Sequence, residues 1–380
     1  MRTTYPPNPR MSSTLRRLSA LATAVTLALT IGSCTTGKSD DDPVISSLNA
    51  QEADAAKPQD SISDMDNQPL STASGLVTMS TSYVAGGTGS TAKEIATTVA
   101  SRERSTDKFQ WAVSIKPAVA DQERTKYADN AQSAMSENMD RSSTGSAVVS
   151  PDGRYLSLIL LPAEQQSGET AADLRTHIVV LDTTTGKTVR NATVSRVILG
   201  QALTNSTLAV ETAQNYFPAG SGKGTITTFS LTDTSAQPSS FPTDKWLVGA
   251  TRDNLALAPE PLSDDCFYGC SMMTVTLINA DGSTAGSISG VTAVHPGGWI
   301  HRVADPKSDE QQLVNPSIKK TIDITGKRTF ERGVPTGPGL LVEQKSPDGK
   351  GSTESKPAFW LSSTDDGHPH TENLEQFENH

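Results

Sequence analysis

The strongest constraint in this chain is a recurrence. Short strand-like runs return at nearly even spacing: HIVVLD from His177, TITTFSL from Thr225, TVTLINADG from Thr274, KTIDITG from Lys320 and AFWLSSTDDG from Ala358, at intervals of 48, 49, 46 and 38 residues. Matching runs lie between them, namely TLAVETA from Thr207, NLALAP from Asn254, WIHRVAD from Trp299 and GLLVEQ from Gly339. The fullest copy, Gly145–Val194, reads GSAVV, a turn SPDG, RYLSLILLP, a polar loop, THIVVLD, a turn TTTG and KTVRNATV. That is four strands in succession, two of them nearly continuous apolar runs of the kind central buried strands show. A period of about 40–50 residues with four strands per unit belongs to blades set around an axis, and the strand pattern excludes helical solenoids of similar period.

The expected fold is therefore all-β, a β-propeller of five to six four-stranded blades over residues 73–367. Only 35% of residues are hydrophobic and 5% aromatic, which suits many short strands better than packed helices. LVTMSTSYV (Leu76–Val84) and KFQWAVSI (Lys108–Ile115) read as second and third strands of a further, degenerate blade. Small helical insertions are expected near the N-terminus, one capped by Ser90 over residues 91–104 and one within Asp121–Met139. An open edge invites aggregation, so one blade is expected to combine strands from both ends of the chain. Residues 368–380 read as a polar tail. The string SPDGRYL, Ser150–Leu156, resembles the propeller repeats of the TolB-like and WD40-like type, and the repeat architecture over residues 74–367 is similar to that of TolB-like adaptors, PQQ-binding dehydrogenases and many actinobacterial lipoproteins. Such a resemblance implies a fold and leaves function to the site. PQQ enzymes carry a tryptophan motif in each blade; here Trp111, Trp246, Trp299 and Trp360 share none, which disfavours a quinoprotein.

Ahead of the repeats, Arg16 and Arg17 precede an apolar run from Leu18 to Thr30, too short to span a bilayer and of signal-peptide length. Ile31, Gly32, Ser33 and Cys34 follow directly and resemble the bacterial lipobox, in which the cysteine thiol takes a diacylglyceryl group. Residues 1–33 are thus expected to be a cleaved lipoprotein signal peptide and Cys34 the lipidation site, anchoring the protein at the extracytoplasmic face of the cell membrane. Residues 34–72, rich in Ser, Asp, Gln, Ala and Pro, read as a disordered tether.

The chain carries 32 basic against 42 acidic residues, and four of the basic ones fall within residues 1–33. An acidic surface with no basic stripe excludes nucleic acid as a partner. Local motifs for chemistry fail on inspection. Gly87, Gly89 and Ala92 match G-x-G-x-x-A without the acid and second strand a dinucleotide site needs, and GSGKG at Gly220–Gly224 lacks the Ser or Thr of a phosphate loop. GSISG at Gly286–Gly290 places Ile288 where a nucleophile elbow requires Ser. His368 and His370 alternate and could face one side of a strand, but read better as surface residues of the tail. His295 and His301 flank a Pro-Gly-Gly turn, where core-edge hydrogen bonding is the ordinary role. No metal, cofactor or catalytic residue is assigned.

Cys266 and Cys270, four residues apart around Gly269, are expected to form a disulfide in an oxidising compartment. The loops between second and third strands, residues 163–175, 218–223, 263–271, 307–317 and 345–356, are longer than the turns closing the third strands and form the expected binding face. Phe267 and Tyr268 are its candidate contacts. Two classes of function follow: a lipid-anchored binding or scaffold module for an envelope protein, peptide or glycan, or an extracytoplasmic propeller enzyme, hydrolase or quinoprotein-like, whose acids converge from separate blades.

Overall fold

The computed structural model describes residues 42–56, 69–83, 95–120, 146–162, 174–214, 224–260, 272–295, 297–305, 307–308, 310–344 and 356–377. Pairing is antiparallel throughout and joins strands consecutive in the chain, except that Val44–Leu48 pairs with Phe109–Lys116. The first blade contains β1 (Val44–Leu48), β2 (Leu70–Ser71), β3 (Leu76–Tyr83), β4 (Ile95–Arg102) and β5 (Phe109–Lys116), in the order β1-β5-β4-β3-β2. The second holds β6 (Ala147–Val149), β7 (Tyr155–Ile159), β8 (Arg175–Asp182) and β9 (Thr188–Ser195). The third holds β10 (Val197–Leu203), β11 (Thr207–Ala213), β12 (Gly224–Ser230) and β13 (Ser239–Thr243).

β14 (Trp246–Ala250), β15 (Leu255–Ala258), β16 (Met273–Ile278) and the first half of β17 (Thr284–Val294) make the fourth blade. The second half of β17 begins the fifth, followed by β18 (Ile300–Asp305), β19 (Glu310–Asn315) and β20 (Lys320–Asp323). β17 changes partner around Gly290, whose φ of +72° is open to glycine and where a Cβ would lie 2.2 Å from the Val303 carbonyl oxygen. GSISG is therefore strand and bulge, with no elbow. The sixth blade is β21 (Lys327–Val334), β22 (Gly337–Gln344) and β23 (Lys356–Ser362), with His370 bridging Trp360 in the fourth position.

Apolar side chains sit between the sheets in chain order. Val99, Trp111 and Ile115 of the first blade meet Leu156, Leu158 and Val179 of the second. Ile178 and Val180 meet Leu208, Val210 and Phe229. Ala209 and Ile226 meet Leu255 and Leu257, Val275 and Leu277 lie with Val291 and Ile300, and Trp299 and Leu313 meet Leu340, Val342 and Leu361. Because side chains alternate across a strand, each central strand feeds both neighbours, which explains runs such as TLAVETA that are buried at every position. Six sheets stacked face to face in this way form a six-bladed β-propeller.

Several expectations are corrected. Residues 95–102 form strand β4 rather than a helix, because IATTVAS is β-branched and buried from Ala96 to Ala100 between β3 and β5. There Thr97 Oγ1 meets Thr81 Oγ1 at 2.9 Å and accepts from Val119 N–H at 2.9 Å. KFQWAVSI is accordingly the fourth strand of its blade. KTIDITG is likewise a fourth strand; the third strand of the fifth blade is β19, inside the segment read as a loop. The stretch read as tether already contains β1, β2 and a helix, α1 (Ala50–Ala55). Asn49 caps α1 in a reciprocal pair with Glu52: the Glu52 N–H donates to Asn49 Oδ1 at 3.0 Å, and the Asn49 N–H to Glu52 Oε2 at 2.8 Å. Residues 368–377 of the stretch read as a tail are also built into the fold and include a 3-10 helix, Leu374–Phe377, with Phe377 buried. The second expected helix, Asp121–Met139, lies outside the described residues.

No described sheet mixes strands from both ends of the chain. The outward faces of the terminal blades are covered separately: Ala53 of α1 packs on Ala100 and Ala112 of the first blade, and Leu374 and Phe377 pack on Val334, Leu341 and Trp360 of the sixth. The two blades touch along their inner side, where Gly333 lies against Ser71 and Arg104, and Gly337 against Thr72 and Ala73.

Candidate functional site

Turns after the first and third strands of each blade lie at one end, the turn face; connections after the second and fourth lie at the opposite loop face. The turn face is knitted across blades. The Ala73 N–H donates to Gly153 O at 3.0 Å, the Asp152 N–H to Asn205 Oδ1 at 3.0 Å, and the Asn205 N–H to Arg252 O at 2.9 Å. Arg252 Nη2 then reaches the sixth blade, donating to Ser363 O at 2.6 Å and Asp365 O at 2.5 Å.

Where Arg252 arrives, the fifth and sixth blades meet along a polar seam. His295 is 8% exposed, and its Nδ1 donates to Glu331 Oε1 at 2.9 Å; its ring stacks with His301 at 6.2 Å. The His301 Nε2 lies 3.3 Å from Gln311 Oε1. Trp299 and Asn315, both fully buried, follow directly on the Ile300–Val314 pair and so share the face turned toward the sixth blade. Gly367 packs on the Trp299 ring, and Gly297, at φ +93°, leaves room for Ser363, whose Oγ would stand 1.9 Å from a Cβ there.

The seam is rich in buried polar atoms without a partner among the described residues: Arg252 Nε, His295 Nε2, Trp299 Nε1, both side-chain polar atoms of Asn315, Ser317 Oγ and Ser363 Oγ. Buried groups of this kind are normally satisfied, and leaving one bare costs about 1–3 kcal/mol. Such a concentration sets the seam apart from the apolar interfaces between the other blades. It is weighted toward donors, with an indole N–H, an amide NH2, a guanidinium N–H and two hydroxyls.

Two other clusters are structural. Glu211, 2% exposed on β11, accepts the Leu247 N–H through Oε2 at 2.8 Å and so bolts the third blade to the fourth. Burial pushes its carboxyl up to about 7, only partly offset by that hydrogen bond. His370 lies between Asp365 Oδ2 and Glu372 Oε1, each at 2.7 Å, and stacks on Trp360 at 3.9 Å. Burial lowers its basicity, but the hydrogen bonds and charges of the two carboxylates outweigh burial and raise its pKa. Among the described residues no group of three His, Cys, Asp or Glu is placed to hold a metal.

No protein-family model matches the chain, and no curated protein matches it. Solved structures of similar geometry include the β-propeller domain of the Trilobed protease from Pyrococcus furiosus, at 11% identity and a TM-score of 0.39 over 78% of this chain and 82% of that one. TolB from Acinetobacter baumannii aligns at 14% identity and a TM-score of 0.29 over 77% and 63%. An acylaminoacyl peptidase from Pyrococcus horikoshii aligns at 10% identity and a TM-score of 0.36 over 82% and 53%. Nothing about their ligands or chemistry transfers at such distance.

Of the residues singled out from sequence, His295 and His301 are brought together, while His370 is claimed by its acids. Cys34, Cys266, Phe267, Tyr268 and Cys270 lie outside the described residues, as do four of the five loops expected to form the binding face, apart from their flanking strand residues. Asn315, Ser363 and Arg252 went unnoticed in the sequence. They are common residues in turns, and their convergence requires three blades to be in place.

Proposed function

We propose that this chain is a lipid-anchored, extracytoplasmic binding propeller, held at the cell membrane through Cys34, and that it recognises an oxygen-rich envelope ligand at the seam between the fifth and sixth blades. Sugar hydroxyls or a peptide carboxylate have the required acceptors. The observation that carries this reading is the set of bare, buried donors around Trp299, Asn315 and Ser363, since a scaffold with no ligand gains nothing from keeping them polar. The catalytic alternative has less behind it: Glu211, a carboxyl with raised pKa among the described residues, is occupied by the Leu247 amide.

The test compares wild-type protein with Asn315→Leu and Ser363→Ala, titrated with solubilised envelope glycan and followed by melting temperature. The wild type should be stabilised by the extract and both variants should not, while both fold. An equal response in all three proteins overturns the site. For the anchor, Cys34→Ala should move from the membrane to the soluble fraction; a variant that remains in the membrane defeats that part.

A further inference from the structure

Arg104 sits where the ring meets itself. It lies in the turn between β4 and β5, and its Nη2 donates to Thr72 O at 3.0 Å and Gly75 O at 3.5 Å, which pins the guanidinium beside β2. Arg102, two residues earlier, pairs with Asp54 at 2.6 Å and Asp107 at 3.4 Å. Arg104 meets no carboxylate among the described residues, and the adjacent Glu103 is engaged by the Thr106 hydroxyl at 2.6 Å. A half-buried guanidinium held only by neutral carbonyls keeps an uncompensated charge. Burial lowers its pKa accordingly.

The other amino group of that guanidinium lies against Gly333 of the sixth blade. A Cβ there would stand 2.6 Å from Arg104 Nη1 and 3.0 Å from Ser71 Oγ, so the exposed glycine is what admits both groups. Ser71 Oγ is buried with no hydrogen-bond partner, and Nη1 has none among the described residues. A charged donor and a neutral one thus converge beside β2 and β21, the innermost strands of the first and sixth blades. Charge-assisted hydrogen bonds to a carboxylate satisfy both donors and neutralise the guanidinium. We propose that Arg104, Ser71 and Gly333 form a carboxylate-binding site at the boundary between the sixth and first blades, separate from the polar seam. Because the donors come from the first blade and the opening from the sixth, a bound carboxylate favours the closed ring over an opened one.

The experiment uses the full chain at constant ionic strength, with chloride replaced stepwise by acetate or by inorganic phosphate, and separately with N-acetyl-trialanine as its free acid or its amide. The wild-type melting temperature should rise by about 2 °C at the highest acetate concentration, and amide exchange in β2 and β21 should slow in step. Arg104→Gln should abolish both responses and Ser71→Ala should weaken acetate binding severalfold. Asn315→Leu, in the seam, should respond as wild type does, so failure of this site and failure of the seam are read separately. The trialanine acid should act where its amide does not; tighter binding of the acid than of acetate identifies a peptide terminus as the source, and equal binding a free small carboxylate. The same acetate response in wild type, Arg104→Gln and Ser71→Ala overturns the site. So does an equal response to acid and amide, and a response to phosphate alone overturns the carboxylate class. If Arg104→Gln does not fold, Gly333→Ala decides, since its Cβ displaces the flexible end of Arg104 and should remove the response without removing the charge.

Discussion

At the scale of single residues, buried polar groups set the terms on which this propeller is stable. The Glu211 carboxyl titrates near 7 in the folded protein against an ordinary 4.5. Its protonated form is thus favoured by folding, and its contribution is full at acid pH and lost as pH rises through 7. Stability should fall by about 1.4 kcal/mol per pH unit between those two values and level off above 7, where the carboxyl is ionised in both states. Glu211→Gln should remove this slope, giving a melting temperature that is higher than wild type at pH 8.5 and similar at pH 5; parallel pH profiles would show that the carboxyl is not the cause. In the seam, Asn315→Leu should raise the melting temperature of the free protein by roughly 2–4 °C, since it replaces a bare buried amide with an apolar side chain. A lower melting temperature would mean that ordered water already satisfies Asn315.

At the scale of elements, the sixth blade is the informative one. Its fourth position is a single bridge from His370 to Trp360, secured by Asp365, Glu372 and the Trp360 Nε1–H donating to Glu372 O at 2.9 Å. The pKa of His370 is raised in the fold, so its support is complete below its unfolded value near 6.5 and fades as pH rises through the higher folded value. Proteolysis of the tail should accordingly be slower at pH 6 than at pH 9, and His370→Ala should make the two rates alike. Deleting residues 368–380 exposes β23 and the apolar patch under Phe377, so the truncated protein should self-associate on size-exclusion chromatography. A strictly monomeric, equally stable truncation would show that the tail covers nothing of consequence.

At the scale of the whole molecule, the ring has one weak boundary. Five blade interfaces are filled by interleaved apolar side chains, but among the described residues the sixth and first blades are capped separately by the 3-10 helix and α1 and meet near their inner strands. Hydrogen exchange should therefore be fastest in β2, α1 and the start of the sixth blade and slowest in β8, β11 and β15, which are buried from both sides. Uniform protection around the ring would imply that the last boundary packs like the others.

How much of this was legible follows from what each signal depends on. The blades were readable because a buried strand needs a β-branched, apolar run and a turn needs Gly, Asp or Asn, and both demands are local; SPDG, TTTG and NADG mark their turns without any tertiary knowledge. β4 and β19 were misread for the opposite reason. IATTVAS and EQQLVN carry polar residues that become strand only because neighbours take up their hydrogen bonds or cover them. The tether and tail were misjudged in the same way, since β1 and His370 acquire their order from β5 and Trp360, more than sixty residues away in the first case. By itself, then, the sequence determined the repeat, the turns, the acidic balance and the lipobox-like start, all properties of contiguous residues. Only the tertiary structure decided how the ring meets itself and that Arg252, Asn315 and Ser363 share one seam, because those depend on which distant backbones lie within hydrogen-bond reach.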